Sequence, residues 1–202
     1  MKLTLKATIA AASCALLIAC NTDKAPADAA IKAAEATVGA AKPEAQKFVP
    51  EQLKAVETSL DAAKDQFAKG DYKAALTTAT ELGGKANDLA PAAAAKKDEL
   101  TKTWTDLSAS ISKSVEAVKA KLEELAKLKK LPKELGAEKV TAAKEGLAKV
   151  EGAWKEATDA FGGGNLQDAL AKGAAVKEKV AEITSILGIQ AAPAAPVTAP
   201  AK

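Results

Sequence analysis

The stretch Pro50-Glu51-Gln52-Leu53-Lys54-Ala55-Val56-Glu57-Thr58-Ser59-Leu60-Asp61-Ala62-Ala63-Lys64-Asp65-Gln66-Phe67-Ala68-Lys69-Gly70-Asp71-Tyr72 decides the fold. Leu53, Val56, Leu60, Ala63 and Phe67 recur at steps of three and four, which places them in one stripe of a helix, with Lys, Glu and Asp on the other faces. Pro50 suits the first helical position, where its missing N–H costs nothing. Gly70 supplies the left-handed residue that ends a helix, and Asp71 can cap the next. That next helix, from about Tyr72 to Leu89, turns Tyr72, Leu76, Ala79, Leu82, Ala86 and Leu89 inward. Helices joined by so short a turn are antiparallel neighbours.

The pattern returns 94 residues later. Leu147, Val150, Trp154, Ala157 and Phe161 stand at that offset from Leu53, Val56, Leu60, Ala63 and Phe67, and Gly164, Asn165, Leu166 and Leu170 from Gly70, Asp71, Tyr72 and Leu76. Generic helical periodicity would match the stripe, but not also the Phe, the Gly and the capping residue, so an internal duplication is expected.

The remaining helices are read outward from these hairpins. Ile31, Ala34, Val38 and Ala41 predict a helix that Pro43 ends, following a short polar tether. A third long helix is expected between Lys97 and Lys130, with Leu100, Trp104, Leu107, Ile111, Val115, Val118, Leu122 and Leu125 on one face. At 1.5 Å per residue it would be roughly 50 Å long, implying a rod-like outline. Pro132 separates it from a helix over about 133–160. Gly162-Gly163-Gly164 breaks that helix, and a last one runs to about Leu187. The expected fold is therefore all-α, an elongated antiparallel bundle of about six helices built from two duplicated hairpins. Its segments are 1–19, a signal peptide; 20–27, a lipidated tether; 28–96, the first hairpin region; 97–131, a long connecting helix; 132–188, the second hairpin; and 189–202, an Ala/Pro-rich disordered tail.

The N-terminus carries Lys2 and Lys6, an apolar run from Ala7 to Ala19, and then Leu17-Ile18-Ala19-Cys20 at its close. A run of 13 residues is too short for the ~20 of a membrane span and suits a secretory signal. The closing tetrapeptide resembles the lipobox of bacterial lipoproteins. That resemblance implies cleavage before Cys20, a diacylglycerol on its sulfur and a third acyl chain on its amine, which would hold the protein permanently on a bilayer. Asn21 resembles an outer-membrane address. The run from Val49-Pro50-Glu51-Gln52-Leu53 through Gly70-Asp71-Tyr72 resembles an uncharacterised helical-hairpin domain of envelope lipoproteins, which has no activity to lend. Lys202 at the end of an extended tail resembles the C-terminal lysine through which murein lipoproteins are joined to peptidoglycan.

Composition removes most chemistry. Residues 20–202 hold no His, no Arg and no cysteine besides Cys20, so soft metal sites, thiolate catalysis, haem ligation and Ser-His-Asp catalysis lack their donors. Near-balanced charge, with 29 Lys and 26 acidic residues in the whole chain, argues against a nucleic-acid partner. Asp61 with Asp65 and Glu123 with Glu124 could in principle do acid/base work, but their spacing reads as solvated helix surface. Gly162-Gly163-Gly164 lacks the strand and the Gly-Lys-Ser/Thr of a phosphate loop. Trp104 and Trp154 read as core anchors, with a ligand slot between helices as the alternative. No catalytic, cofactor-binding or metal-binding residue is expected, and the protein is not expected to be an enzyme. A carboxylate-only hydrolase is the weakest class.

The leading expectation is an outer-membrane lipoprotein facing the periplasm, anchored by membrane lipid through Cys20, with a structural or interaction role toward envelope proteins or peptidoglycan. The alternative is a binding module for a small apolar ligand or lipid, with room left by Ala79, Gly173 and Ala86. A covalent peptidoglycan link through Lys202 is a further option.

Overall fold

The computed structural model describes residues 22–189. The signal segment, the lipobox with Cys20, and the tail with Lys202 lie outside the described residues. The described residues form five helices and no strand: α1 (Lys24–Phe48), α2 (Pro50–Ala68), α3 (Tyr72–Lys127), α4 (Ala137–Gly162) and α5 (Leu166–Ile186). The chain divides into two compact units, Met1–Lys97 and Asp98–Lys202, with the boundary inside α3.

In unit 1, Ala27, Ile31, Ala34, Val38, Ala41 and Ala45 of α1 share one core with Leu53, Val56, Leu60 and Ala63 of α2 and Ala75, Ala79, Leu82, Ala86 and Leu89 of α3. Eight of these fifteen side chains are alanine, so the helices approach closely and bury little area per residue. In unit 2, Ile111, Val118, Leu122 and Leu125 of α3 meet Ala143 and Val150 of α4 and Val176, Val180, Ile183 and Leu187 of α5. Trp104, Ala157 and Ala169 form a second cluster there. Each unit is thus a first helix packed on a helical hairpin, and residues 98–127 belong to the core of the second hairpin rather than merely leading to it.

About six helices were expected; the helices expected to about Leu89 and from about Lys97 are one, α3, and the end expected at Pro43 does not occur. Pro43 lies inside α1 and Pro91 inside α3. A proline removes one helical hydrogen bond and crowds the carbonyl four residues earlier. Here those carbonyls belong to Gly39 and Asn87, and both residues, like both prolines, are solvent-exposed, where water can satisfy the freed group. The buried stripe meanwhile continues across each proline, from Val38 through Ala41 to Ala45 and from Leu89 through Ala93 to Leu100. Burial on the inner face outweighs a local defect on the outer one. Two starts also shift: α1 begins at Lys24, within the expected tether, and α4 begins at Ala137 rather than near 133.

The offset of 94 extends to atomic detail. Gly70 and Gly164 have φ of 83° and 78°. In the first turn Lys69 N donates to Asp65 O, Gly70 N to Phe67 O and Asp71 N to Gln66 O; in the second Gly163 N donates to Asp159 O, Gly164 N to Phe161 O and Asn165 N to Ala160 O. Every donor and acceptor pair matches at 94. So do the helix boundaries Ala68 and Gly162, Tyr72 and Leu166. Buried Leu82, Ala86, Leu89 and Ala93 correspond to buried Val176, Val180, Ile183 and Leu187.

The first helices correspond at a different offset. Lys42 Nζ pairs with Glu57 at 2.7 Å, and Lys119 Nζ with Glu151 at 2.7 Å. The two glutamates differ by 94 and the two lysines by 77. At 77, buried Ala27, Ala34, Ala41, Ala45 and Phe48 fall on buried Trp104, Ile111, Val118, Leu122 and Leu125. Between matched points of its first and second helices unit 2 therefore holds 17 more residues than unit 1, and the connection itself is 128–136 where unit 1 has Val49 alone.

Candidate functional site

The positions singled out for chemistry are dispersed on the surface. Asp61, Asp65, Glu123 and Glu124 are all exposed, and Glu124 pairs with Lys121 at 2.9 Å. Among the described residues no group of three or more His, Cys, Asp or Glu is placed to hold a metal ion, and no helix is long and apolar enough to cross a membrane. Lys64 is held above its ordinary value by its hydrogen bond to Glu35, Lys32 by Asp28 and Lys155 by Asp159. Raising an already basic amine keeps it charged, which is the opposite of what a lysine base or nucleophile needs.

Trp104, Trp154 and Phe161 are brought together. The Trp104 ring lies 5.1 Å from that of Trp154 and 5.0 Å from that of Phe161, centroid to centroid, with interplanar angles of 9° and 11°. Trp154 and Phe161 are seven residues apart on α4, two turns along one face, so both rings reach the same partner. The small residue opposite is matched to this bulk. A Cβ on Gly173 would lie 2.8 Å from Leu107 Cδ2 and 3.3 Å from Trp104 Cζ3. Gly173 therefore admits the indole and the leucine against α5, and the room expected there for a ligand is filled by side chains of the protein itself. Ala79 and Ala86 are 2% and 1% exposed and likewise lie in packed core. Leu107 as the filler of the Gly173 space was not singled out from the sequence, since its stripe position does not reveal which residue of α5 it faces.

Unit 1 is more open at the matched place. Phe67 makes an edge-on contact with Tyr72, centroids 5.0 Å apart at 64°, and Lys24 Nζ sits 5.6 Å from the Tyr72 ring centre. A solvent-open cleft of about 440 Å³ lies beside Phe67, lined also by Lys24, Ala25 and Asp28. The Asp28 carboxylate already accepts from Lys32 at 2.7 Å. The cleft offers one aromatic face and one ammonium group, enough for weak contact with an apolar or aromatic group and for no bond-making chemistry.

Comparison with protein-family models, with curated proteins and with solved structures returns no match.

Proposed function

We propose that this protein is a lipid-anchored component of the bacterial cell envelope that acts by contact with other envelope components rather than by catalysis. The carrying observation is the sequence Leu17-Ile18-Ala19-Cys20 at the close of a short apolar run behind Lys2 and Lys6. Two packed helical units whose carboxylates lie scattered on the surface support a contact role. The matching turns, ion pairs and buried positions support reading the chain as a duplicated three-helix unit, with a first helix and hairpin in each copy. Labelling with radioactive palmitate tests the anchor. The label should follow the protein and disappear with Cys20→Ala; a Cys20→Ala protein that still partitions wholly with membranes would overturn the assignment.

A second reading, a binding module for a small apolar ligand, draws on the cleft beside Phe67. Mass spectrometry of the delipidated chain should then find a co-purifying lipid or apolar molecule, lost in Phe67→Ala. Attachment of Lys202 to peptidoglycan is a separate proposal. It requires protein retained on boiled, detergent-washed sacculi and released by muramidase, with retention abolished by deletion of Lys202.

A further inference from the structure

The connection over 128–136, much longer than its counterpart in unit 1, is unlike the rest of the surface. Unit 1 joins its first two helices through Val49 alone, so the three-helix unit closes without a longer connection. Unit 2 instead inserts the run Lys127-Leu128-Lys129-Lys130-Leu131-Pro132-Lys133, with no acidic residue between Glu124 and Glu134. The segment has its own structure: Leu131 and Leu135 pack against the core of unit 2, and Leu135 N donates to Pro132 O at 3.0 Å. Leu128 stays outside, 45% exposed, the more exposed of the two large apolar side chains that the described residues leave in solvent. The other is Ile186, 37% exposed, near the C-terminal end of α5.

Both lie at one end of unit 2. Gly173, early in α5, faces Trp104 and Leu107, while Ile183, late in α5, faces Gly146, early in α4. Residues 98–127 and α5 therefore run parallel, and their C-terminal ends share that end of the unit with the inserted run. Lys127 has a structural explanation, since a cation in the last turn complements the helix dipole. Lys129, Lys130 and Lys133 lie beyond the helix, are exposed, and form no ion pair among the described residues, whereas Lys119 and Lys121 just before them do. Glu134 and Glu138 follow but do not pair with them; Lys139 reaches back to the Glu134 carbonyl, not to its carboxylate.

We propose that the loop over 128–136, with Lys127, Lys129, Lys130, Lys133 and Leu128, is a docking surface for a phospholipid bilayer bearing anionic headgroups. Four cations give charge complementarity of the size that draws polybasic segments to acidic lipid, roughly fivefold in affinity for each lysine near the surface. An exposed leucine inside the lysine run favours a surface with an apolar interior over a purely polar anionic polymer. The inference is independent of Cys20 and adds a second contact to the proposed anchor.

The test uses the chain over 21–202, without acyl groups, in sedimentation with vesicles of phosphatidylcholine containing about a third phosphatidylglycerol, and with pure phosphatidylcholine as reference. Partition should favour the acidic vesicles at least tenfold at low salt and fall steeply as salt rises. Lys129→Glu with Lys130→Glu should reduce it by about 25-fold or more, and Leu128→Asn by severalfold. Reversal of exposed Lys102 and Lys113 should change it less than about twofold. Equal loss from that control pair would overturn the site, as would equal binding to both vesicle types. Binding to neither vesicle, or retention on purified peptidoglycan alone, would overturn the proposal. Circular dichroism of each variant separates lost binding from lost folding, and Leu128→Asn alters only an exposed side chain.

Discussion

The two units solve one packing problem with different volumes. At matched positions on the first helix unit 1 has Ala27 and Ala30, and unit 2 has Trp104 and Leu107; on the last helix unit 1 has Ala79 where unit 2 has Gly173. The larger residues of the first helix meet a glycine on the last, where an added Cβ would lie 2.8 Å from Leu107 Cδ2 and 3.3 Å from Trp104 Cζ3, so an alanine there would make the leucine shift. The comparison teaches that backbone hydrogen bonds and register define the unit, while the side chains that fill the space between the helices differ widely in size. The units differ most at the one place where unit 2 carries additional chain.

The largest effect that tests this view is Trp104→Ala. The indole is 6% exposed and stacks on two rings, so its truncation should lower the stability of unit 2 by about 3–5 kcal/mol. Denaturant unfolding followed by circular dichroism and by the remaining Trp154 emission measures it. A loss under about 1 kcal/mol would mean that the cluster collapses onto the space as easily as the alanine-lined unit 1 does, and that volume is not the constraint.

The turns should respond alike. Gly70 and Gly164 hold φ of 83° and 78°, a region where a Cβ meets the following carbonyl, although neither glycine has a neighbour within 4 Å of where that Cβ would stand. Substituting either by Ala should cost about 1–2 kcal/mol from backbone conformation alone, with the two values agreeing within error. Widely different losses would break the equivalence of the hairpins.

The caps should not respond alike. Asp71 accepts from Ala74 N through Oδ1 at 3.2 Å, whereas Asn165 makes no side-chain cap bond. Asp71→Ala should therefore cost about 1 kcal/mol and Asn165→Ala only a few tenths. A larger loss at Asn165 would mean that its side chain caps the helix in solution.

Much of this was legible in the sequence because helix stripes are a one-dimensional signal. The 3-4 spacing from Leu53 to Phe67, and the Gly-Asp-Tyr and Gly-Asn-Leu turns, place the two hairpins without reference to anything distant. Pro43 was misread as a helix end, and the continuity of α3 past Leu89 and Pro91 was missed, because whether a helix tolerates proline depends on which face points outward, and that is decided by partners elsewhere in the chain. The connection of residues 98–127 to the second hairpin was hidden for a related reason: the matching lysines are 77 apart and the matching glutamates 94, so no single offset aligns the whole unit. As for a site, Trp104 and Trp154 were visible as anchors, but the filling of the Gly173 space by Leu107 needs three-dimensional contact. The unpaired state of Lys129, Lys130 and Lys133 could not be read either, since every helix here carries lysine.

The smallest expected effect concerns the ion pairs that fix the register. Lys42–Glu57 and Lys119–Glu151 have the same 2.7 Å separation and similar exposure, with side chains 54% and 38% exposed in the first and 50% and 52% in the second. At such exposure water and salt screen most of the attraction, and holding two long side chains together offsets more of it, so each pair should contribute no more than about 0.5 kcal/mol. A double-mutant cycle on each, replacing lysine by Met and glutamate by Gln, measures the coupling free of the loss of either side chain's stem. The two coupling energies should agree and vanish together in high salt. The pairs would then mark which faces of the first and second helices meet without deciding it, the choice resting on buried Ala41 and Val56 in one unit and on Val118 and Val150 in the other. If one pair instead couples by more than about 1 kcal/mol and persists in salt, that unit takes its register from charge, and the equivalence of the two units holds in geometry but not in energy.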